Sequence, residues 1–148
     1  MNIRVYPPIV AILYLIVSLI LNYFFSGTKI IPSPYNYFGS VIIVASLIFM
    51  ILAFRTFKKK STTHDPFGKP TALVTSGPFS ISRNPMYLGL FLILIGIAFF
   101  IGTIPLFLAP LAFLPTINIT FIFNEERKLK HIFDQKYTDY KNSVRRWL

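Results

Sequence analysis

PMYLGLFLILIGIAFFIGTIPLFLAPLAFLPTINITFIF, residues 85–123, runs for 39 residues with no ionisable side chain apart from Tyr87. A helix rises about 1.5 Å per residue and needs roughly 20 apolar residues to cross a hydrocarbon layer, so this run is about twice one crossing. It predicts two helices joined by a turn. Gly102, Thr103 and Pro105 supply the turn, glycine by relaxing the backbone and proline by removing a donor.

Two more apolar stretches precede it. Pro7 to Phe25 is interrupted only by Ser18, Asn22 and tyrosines, and Tyr37 to Phe54 carries no charge. The expectation is an all-α integral membrane protein of one domain, residues 1–148, with four transmembrane helices at about 7–25, 37–54, 86–102 and 105–123. A polar loop over 58–84 and a C-terminal amphipathic helical tail over 124–148 complete it. A signal peptide over the first 25 residues is the competing reading, but the run is long and no A-x-A-like site follows it.

Composition points the same way. Of 148 residues 54% are hydrophobic and only 14% charged, where soluble domains carry about a quarter charged. A soluble two-domain enzyme and a disordered chain are excluded. There is no Cys, which removes disulfide scaffolds, thiol nucleophiles and Cys-based metal sites.

The 15 basic residues set the orientation. With four spans the N-terminus, the polar loop and the tail share one face, and every basic residue except Lys29 lies on it. The positive-inside rule makes that face cytoplasmic, so both termini and the long loop are expected there. The net charge of +10 then reads as topology and attraction to anionic membrane lipids. Nucleic acid is not an expected partner, because the basic residues hug membrane exits and form no separate domain.

Polar chemistry has two places to sit. The loop holds the turn formers His64-Asp65-Pro66, Phe67-Gly68-Lys69-Pro70 and Ser76-Gly77-Pro78, with a short extended piece expected at Ala72 to Thr75. Its length suggests a functional lid or binding loop. In the tail Leu129, Ile132, Phe133, Tyr137, Tyr140, Val144 and Trp147 or Leu148 recur at three- and four-residue steps, which predicts an amphipathic helix or helix pair. It lies on the membrane interface or closes over a pocket formed with the loop.

Two constellations stand out at the edges of these segments. Arg83-Asn84-Pro85-Met86-Tyr87 leads into the third span, with Pro85 suited to the first helical turn. Arg83 is either a headgroup anchor or, with Asn84, a pair of donors for a carboxylate. Glu125-Glu126 follows the fourth span; adjacent helical residues point about 100° apart, so the two carboxylates have separate tasks. One can bind an ammonium while the other holds Arg83 or Arg127; the plain alternative is a salt-bridged helix start. His64 and His131 lack metal-ligand spacing, and no metal site is expected. No dinucleotide fingerprint, phosphate loop or nucleophile elbow is present.

In this order around a span pair, the blocks Leu73-Val74-Thr75-x-Gly77-Pro78-Phe79, Arg83-Asn84-Pro85-x-Tyr87-x-Gly89 and Glu125-Glu126-x-x-Leu129-x-x-x-Phe133-x-x-x-Tyr137-x-x-Tyr140 are fairly specific. The chain resembles the isoprenylcysteine carboxyl methyltransferase and phospholipid methyltransferase family of integral-membrane enzymes over about half its length. The resemblance implies S-adenosylmethionine bound at the cytoplasmic face and a lipophilic acceptor, small or prenylated, entering from the bilayer. By that likeness Arg83, Asn84, Pro85, Tyr87, Gly89, Glu125, Tyr137 and Tyr140 belong to the cofactor site, and Glu126 and Arg127 to catalysis. Arg83 neutralises the cofactor carboxylate or Arg127 the acceptor's, and Glu126 binds a cationic amine or takes its proton. The chain departs from the family at Asn84, where His is usual, and at Asp134, where Gly is common after the Phe. Asn donates a hydrogen bond but carries no charge near neutrality. A non-catalytic scaffold or lipid-binding protein of the same fold is the rival reading; the residues select neither the acceptor nor an oligomeric state.

Overall fold

The computed structural model describes residues 5–25, 29–60, 68 and 70–148. The expected turns at His64-Asp65-Pro66 and at Lys69 lie outside the described residues, as do His64 and Arg4.

Four helices order the described chain. Helix α1, Pro7–Phe24, opens on two prolines whose missing donors cost nothing in a first turn. Helix α2, Phe38–Lys59, follows a 3₁₀ turn at Tyr35–Tyr37 and ends on Lys58 and Lys59, cations that suit the negative end of a helix dipole. Helix α3, Pro85–Ile101, is apolar throughout and starts on Pro85. Helix α4 runs from Ile104 to Ser143, opening on a 3₁₀ turn at Ile104–Phe107 and bending at a kink at Asp134.

The expectation of four transmembrane helices and a separate amphipathic tail is corrected here. Three helices, Pro7–Phe24, Tyr35–Lys59 and Ile104–Ser143, are long and apolar enough to cross a membrane; Pro85–Ile101 is a shorter apolar helix. The apolar run over 85–123 divides unequally because Gly102 enters the left-handed region, φ 78°, and stops α3 after 17 residues. No Gly or Pro follows Phe123, and Glu125 through Lys130 are all good helix formers. Span and tail are therefore one helix of 40 residues.

Inside α4 the geometry changes twice. Past Pro115, which withholds a backbone donor, a π-helical turn occupies Asn118–Ile122. One extra residue in a turn rotates everything downstream by about 100°, so this turn sets which side of the helix Glu125 and Glu126 face. Further on, Asp134 adopts φ 42° and ψ −112°, a kink in an otherwise helical stretch.

Helices α2 and α3 pack antiparallel along their length, brought close by glycine. A Cβ at Gly39 would run into the Gly96 carbonyl and the Phe100 backbone, and one at Gly89 into the Met50 side chain. Helix α1 packs on α4 and its 3₁₀ start, with Tyr14 bonded to Thr116 at 2.8 Å and Thr103 to Asn22 at 2.6 Å. The main core collects Ala11, Tyr87, Leu94, Ala109, Phe113, Ile117 and Ile122. A second cluster of Ala53, Val74 and Phe79, with Phe57 and Met86, lies at the end where α2 finishes and α3 begins. The outer faces of α1 and α2 expose Ile12, Leu13, Val17, Ile20, Val41 and Ile48, an apolar surface suited to lipid.

Candidate functional site

The second cluster forms the floor of a site built by three segments. After α2 the chain passes through irregular backbone at Leu73–Thr75, where the expected extended piece forms no strand, and turns at Gly77 with φ 63°. A 3₁₀ turn at Gly77–Ser80 buries Phe79 against Phe57, edge to face at 4.9 Å between ring centres. Ser82, Arg83 and Asn84 then lead into α3. Helix α4 closes the opposite side, tied to the loop by Lys128 Nζ, which donates to the Gly68 carbonyl at 2.7 Å.

These segments enclose a cavity of about 640 Å³. One wall is apolar: Met50, Phe54 and Phe57 from α2, Val74 and Phe79 from the loop, Met86 and Leu90 from α3, and Tyr6, Pro7 and Pro8 at the start of α1. The other is polar, with Arg83, Asn84, Glu125, Glu126, Lys128, Tyr137 and Tyr140. A single space thus offers a hydrocarbon surface and a charged surface to one occupant or to two. Its volume is in the range of about 300–1,000 Å³ that small-molecule sites occupy.

Charge in the polar wall is paired with care. Glu126 accepts a two-pronged contact from Arg146, Nε to Oε1 at 3.1 Å and a terminal nitrogen to Oε2 at 2.8 Å. Arg83 approaches Oε1 of the same carboxylate at 3.1 Å, and the side chains of Arg83 and Glu126 are only 8% and 12% exposed. Two guanidinium groups share one carboxylate, so this trio carries a net positive charge. The hydrogen bond to Glu126 raises the Arg146 guanidinium above its ordinary range, which leaves it a permanent cation. Arg83 also donates to the Tyr137 hydroxyl at 3.3 Å, while its Nε is buried without a partner. A buried donor with no acceptor is costly, and this one belongs to a residue that lines the cavity.

Glu125 turns to a different neighbour. The Tyr87 hydroxyl donates to its Oε1, joining the first turn of α3 to α4. Tyr140 donates to the Phe79 carbonyl at 2.6 Å, pinning the 3₁₀ turn.

Eight of the residues predicted for the site are brought together: Arg83, Asn84, Pro85, Tyr87, Glu125, Glu126, Tyr137 and Tyr140 all line the cavity. Two are not. Gly89 faces α2 and packs on Met50, since its place four residues into α3 points it at the helix interface. Arg127 is exposed and lies over the Phe123 ring at 4.7 Å, because one step of about 100° beyond Glu126 carries it to the outer side of α4. The Asn84 amide nitrogen donates to the Arg146 carbonyl at 3.1 Å. Sequence reasoning missed Arg146, Lys128 and the aromatic pair Phe54 and Phe57. The last two sit in an apolar helix where nothing separates a pocket wall from a lipid-facing position.

A family model described as Phospholipid methyltransferase matches residues 35–136, well over half of the chain. No curated protein matches it.

Proposed function

The chain belongs to the phospholipid methyltransferase family and is an S-adenosylmethionine-dependent methyltransferase with a lipophilic acceptor, and we propose that the cavity between α2, α3 and α4 holds both reactants. When bound, S-adenosylmethionine supplies a methyl group on a sulfonium, already activated for displacement by an acceptor nucleophile. The residues fit such a ligand: the orphaned Nε of Arg83 is a donor awaiting an acceptor, and a carboxylate meets that need. Tyr137 and Glu126 both engage one terminal nitrogen of Arg83 and hold the guanidinium in place.

Both oxygens of Glu126 are engaged by arginine, which makes it a holder of Arg83 rather than a free base. Glu125 is the carboxylate we assign to the acceptor side, where it would attract a protonated amine and take the proton that the nitrogen must lose before it can attack. The apolar wall of Met50, Phe54, Phe57, Met86 and Leu90 takes the acceptor's hydrocarbon and excludes water from the transfer. With the family description, these features favour a phospholipid amine over a prenylcysteine carboxylate. The pocket end gathers Arg55, Lys58, Lys59, Lys60, Arg83, Arg127 and Lys128, so we place it at the cytoplasmic leaflet.

The buried, unpartnered Nε of Arg83, a residue that lines the cavity, is the observation that carries this reading. Calorimetric titration of the detergent-purified chain with S-adenosylhomocysteine tests it. Saturable binding is expected for the wild type, weaker by about tenfold or more in Arg83→Ala, the loss of a charged hydrogen bond. Folded wild-type protein that takes up no ligand would refute the proposal.

A further inference from the structure

Beyond Ser143 the chain leaves the helix and crosses the site. Val144 is extended, φ −127° and ψ 132°, and the next residues lie across the entry to α3. The Arg145 carbonyl accepts from the Arg83 backbone N–H at 3.0 Å. The Arg146 carbonyl accepts from Ser82 Oγ at 3.2 Å and from the Asn84 amide at 3.1 Å. Trp147 then packs on the main core. These backbone contacts fix where the Arg146 side chain reaches, and it reaches Glu126.

We propose that Arg146 is a positioning residue that keeps Arg83 available to the methyl donor by occupying Glu126. The inference rests on the assignment of Arg83 to donor binding made above. Glu126 has two oxygens and two guanidinium neighbours. Because Arg146 takes both oxygens in fork geometry, Arg83 is left with a single contact to Oε1, and its Nε stays unengaged in a residue that lines the cavity. Remove Arg146 and Oε2 becomes a nearly buried carboxylate oxygen without a partner, the condition a carboxylate least tolerates. The guanidinium already in contact is that of Arg83. It swings into the two-pronged arrangement that Arg146 vacates, and its free edge is lost to the ligand. Arg146 thus acts on the donor through competition for one anion, while it is itself about a third exposed at the rim.

This competition has a signature that a purely structural strap lacks. Titrations with S-adenosylhomocysteine use the full-length detergent-purified chain and its variants. Arg146→Gln should weaken binding about tenfold, and Arg146→Lys, which keeps the charge without the fork, about threefold. In a Glu126→Gln background the trap for Arg83 is gone, so adding Arg146→Gln should change affinity by less than about twofold. Equal losses in both backgrounds, or wild-type affinity in Arg146→Gln, overturn the proposal. If Arg146→Gln does not fold, Arg146→Lys compared in the same two backgrounds decides by the same pattern. A wild type that binds no S-adenosylhomocysteine overturns instead the underlying assignment of Arg83, and the two failures are told apart by that titration alone.

Discussion

The chain bends through positive-φ backbone at Gly102, φ 78°, where α3 hands over to α4, and again at Asp134, φ 42°, within α4 near the site. The first bend is crowded. The Gly102 carbonyl accepts from the N–H groups of Ile30 and Ile31 at 2.8 and 3.2 Å, and a Cβ there would collide with the Ile31 carbonyl at 2.6 Å. The second bend is exposed, and a residue with a full side chain occupies it. Where backbone packs against backbone, space leaves glycine as the one residue that fits. At the solvent edge Asp134 holds a different positive-φ conformation, φ 42° and ψ −112°, at about 1–3 kcal/mol of conformational energy, which a fold can tolerate.

The largest expected effect comes from breaking the crowded bend. Gly102→Ala combines an unfavourable φ with overlap on a carbonyl that has no flexible end to withdraw, and should cost about 3 kcal/mol. Thermal unfolding in detergent reads this as a lowered midpoint. A midpoint unchanged from wild type would mean that the Ile31 segment moves aside freely, and the contrast with Asp134 would fall.

Asp134→Gly sharpens the comparison in the opposite direction. Relief of the positive φ is offset in part by the greater freedom of glycine in the unfolded chain, so the net gain should be about 1 kcal/mol. The same melts check it, and a loss of stability would show that the aspartate side chain earns its place through contacts that outweigh its backbone. This is also where the chain departs from the family's common glycine, and the kink gives that preference a physical reason.

Much of the architecture was legible because bilayer chemistry is one-dimensional: apolar length marks helices, and Gly102-Thr103-x-Pro105 marks the turn between two of them. The fourth-span expectation failed on a matter of a few residues, set by where the left-handed cap falls, and the separate tail failed because helix propensity continues past Phe123. In the site, Arg83, Tyr87, Glu125 and Glu126 were legible as rare polar residues at the ends of apolar runs. Their pairing was not. Adjacent carboxylates were expected to divide their tasks, but which one faced which partner depended on the π turn at Asn118–Ile122, and no residue type announces that turn. Arg146 was one cation among 15, distinguished only by a fold that carries its backbone across Ser82 and Asn84.

The smallest expected effect separates two neighbours on α4. Glu126 faces the cavity and Arg127 faces away from it, over Phe123, although the sequence offered both as catalytic. A cation over an exposed aromatic ring is worth about 0.5–1 kcal/mol, and Arg127 touches neither Arg83 nor Glu126 by any ion pair among the described residues. Arg127→Ala should therefore leave S-adenosylhomocysteine affinity within about twofold of wild type, a difference of under half a kcal/mol. A loss as large as that of Arg83→Ala would mean that Arg127 turns inward when ligand binds, and that the π turn does not fix the phase of α4 in the occupied site.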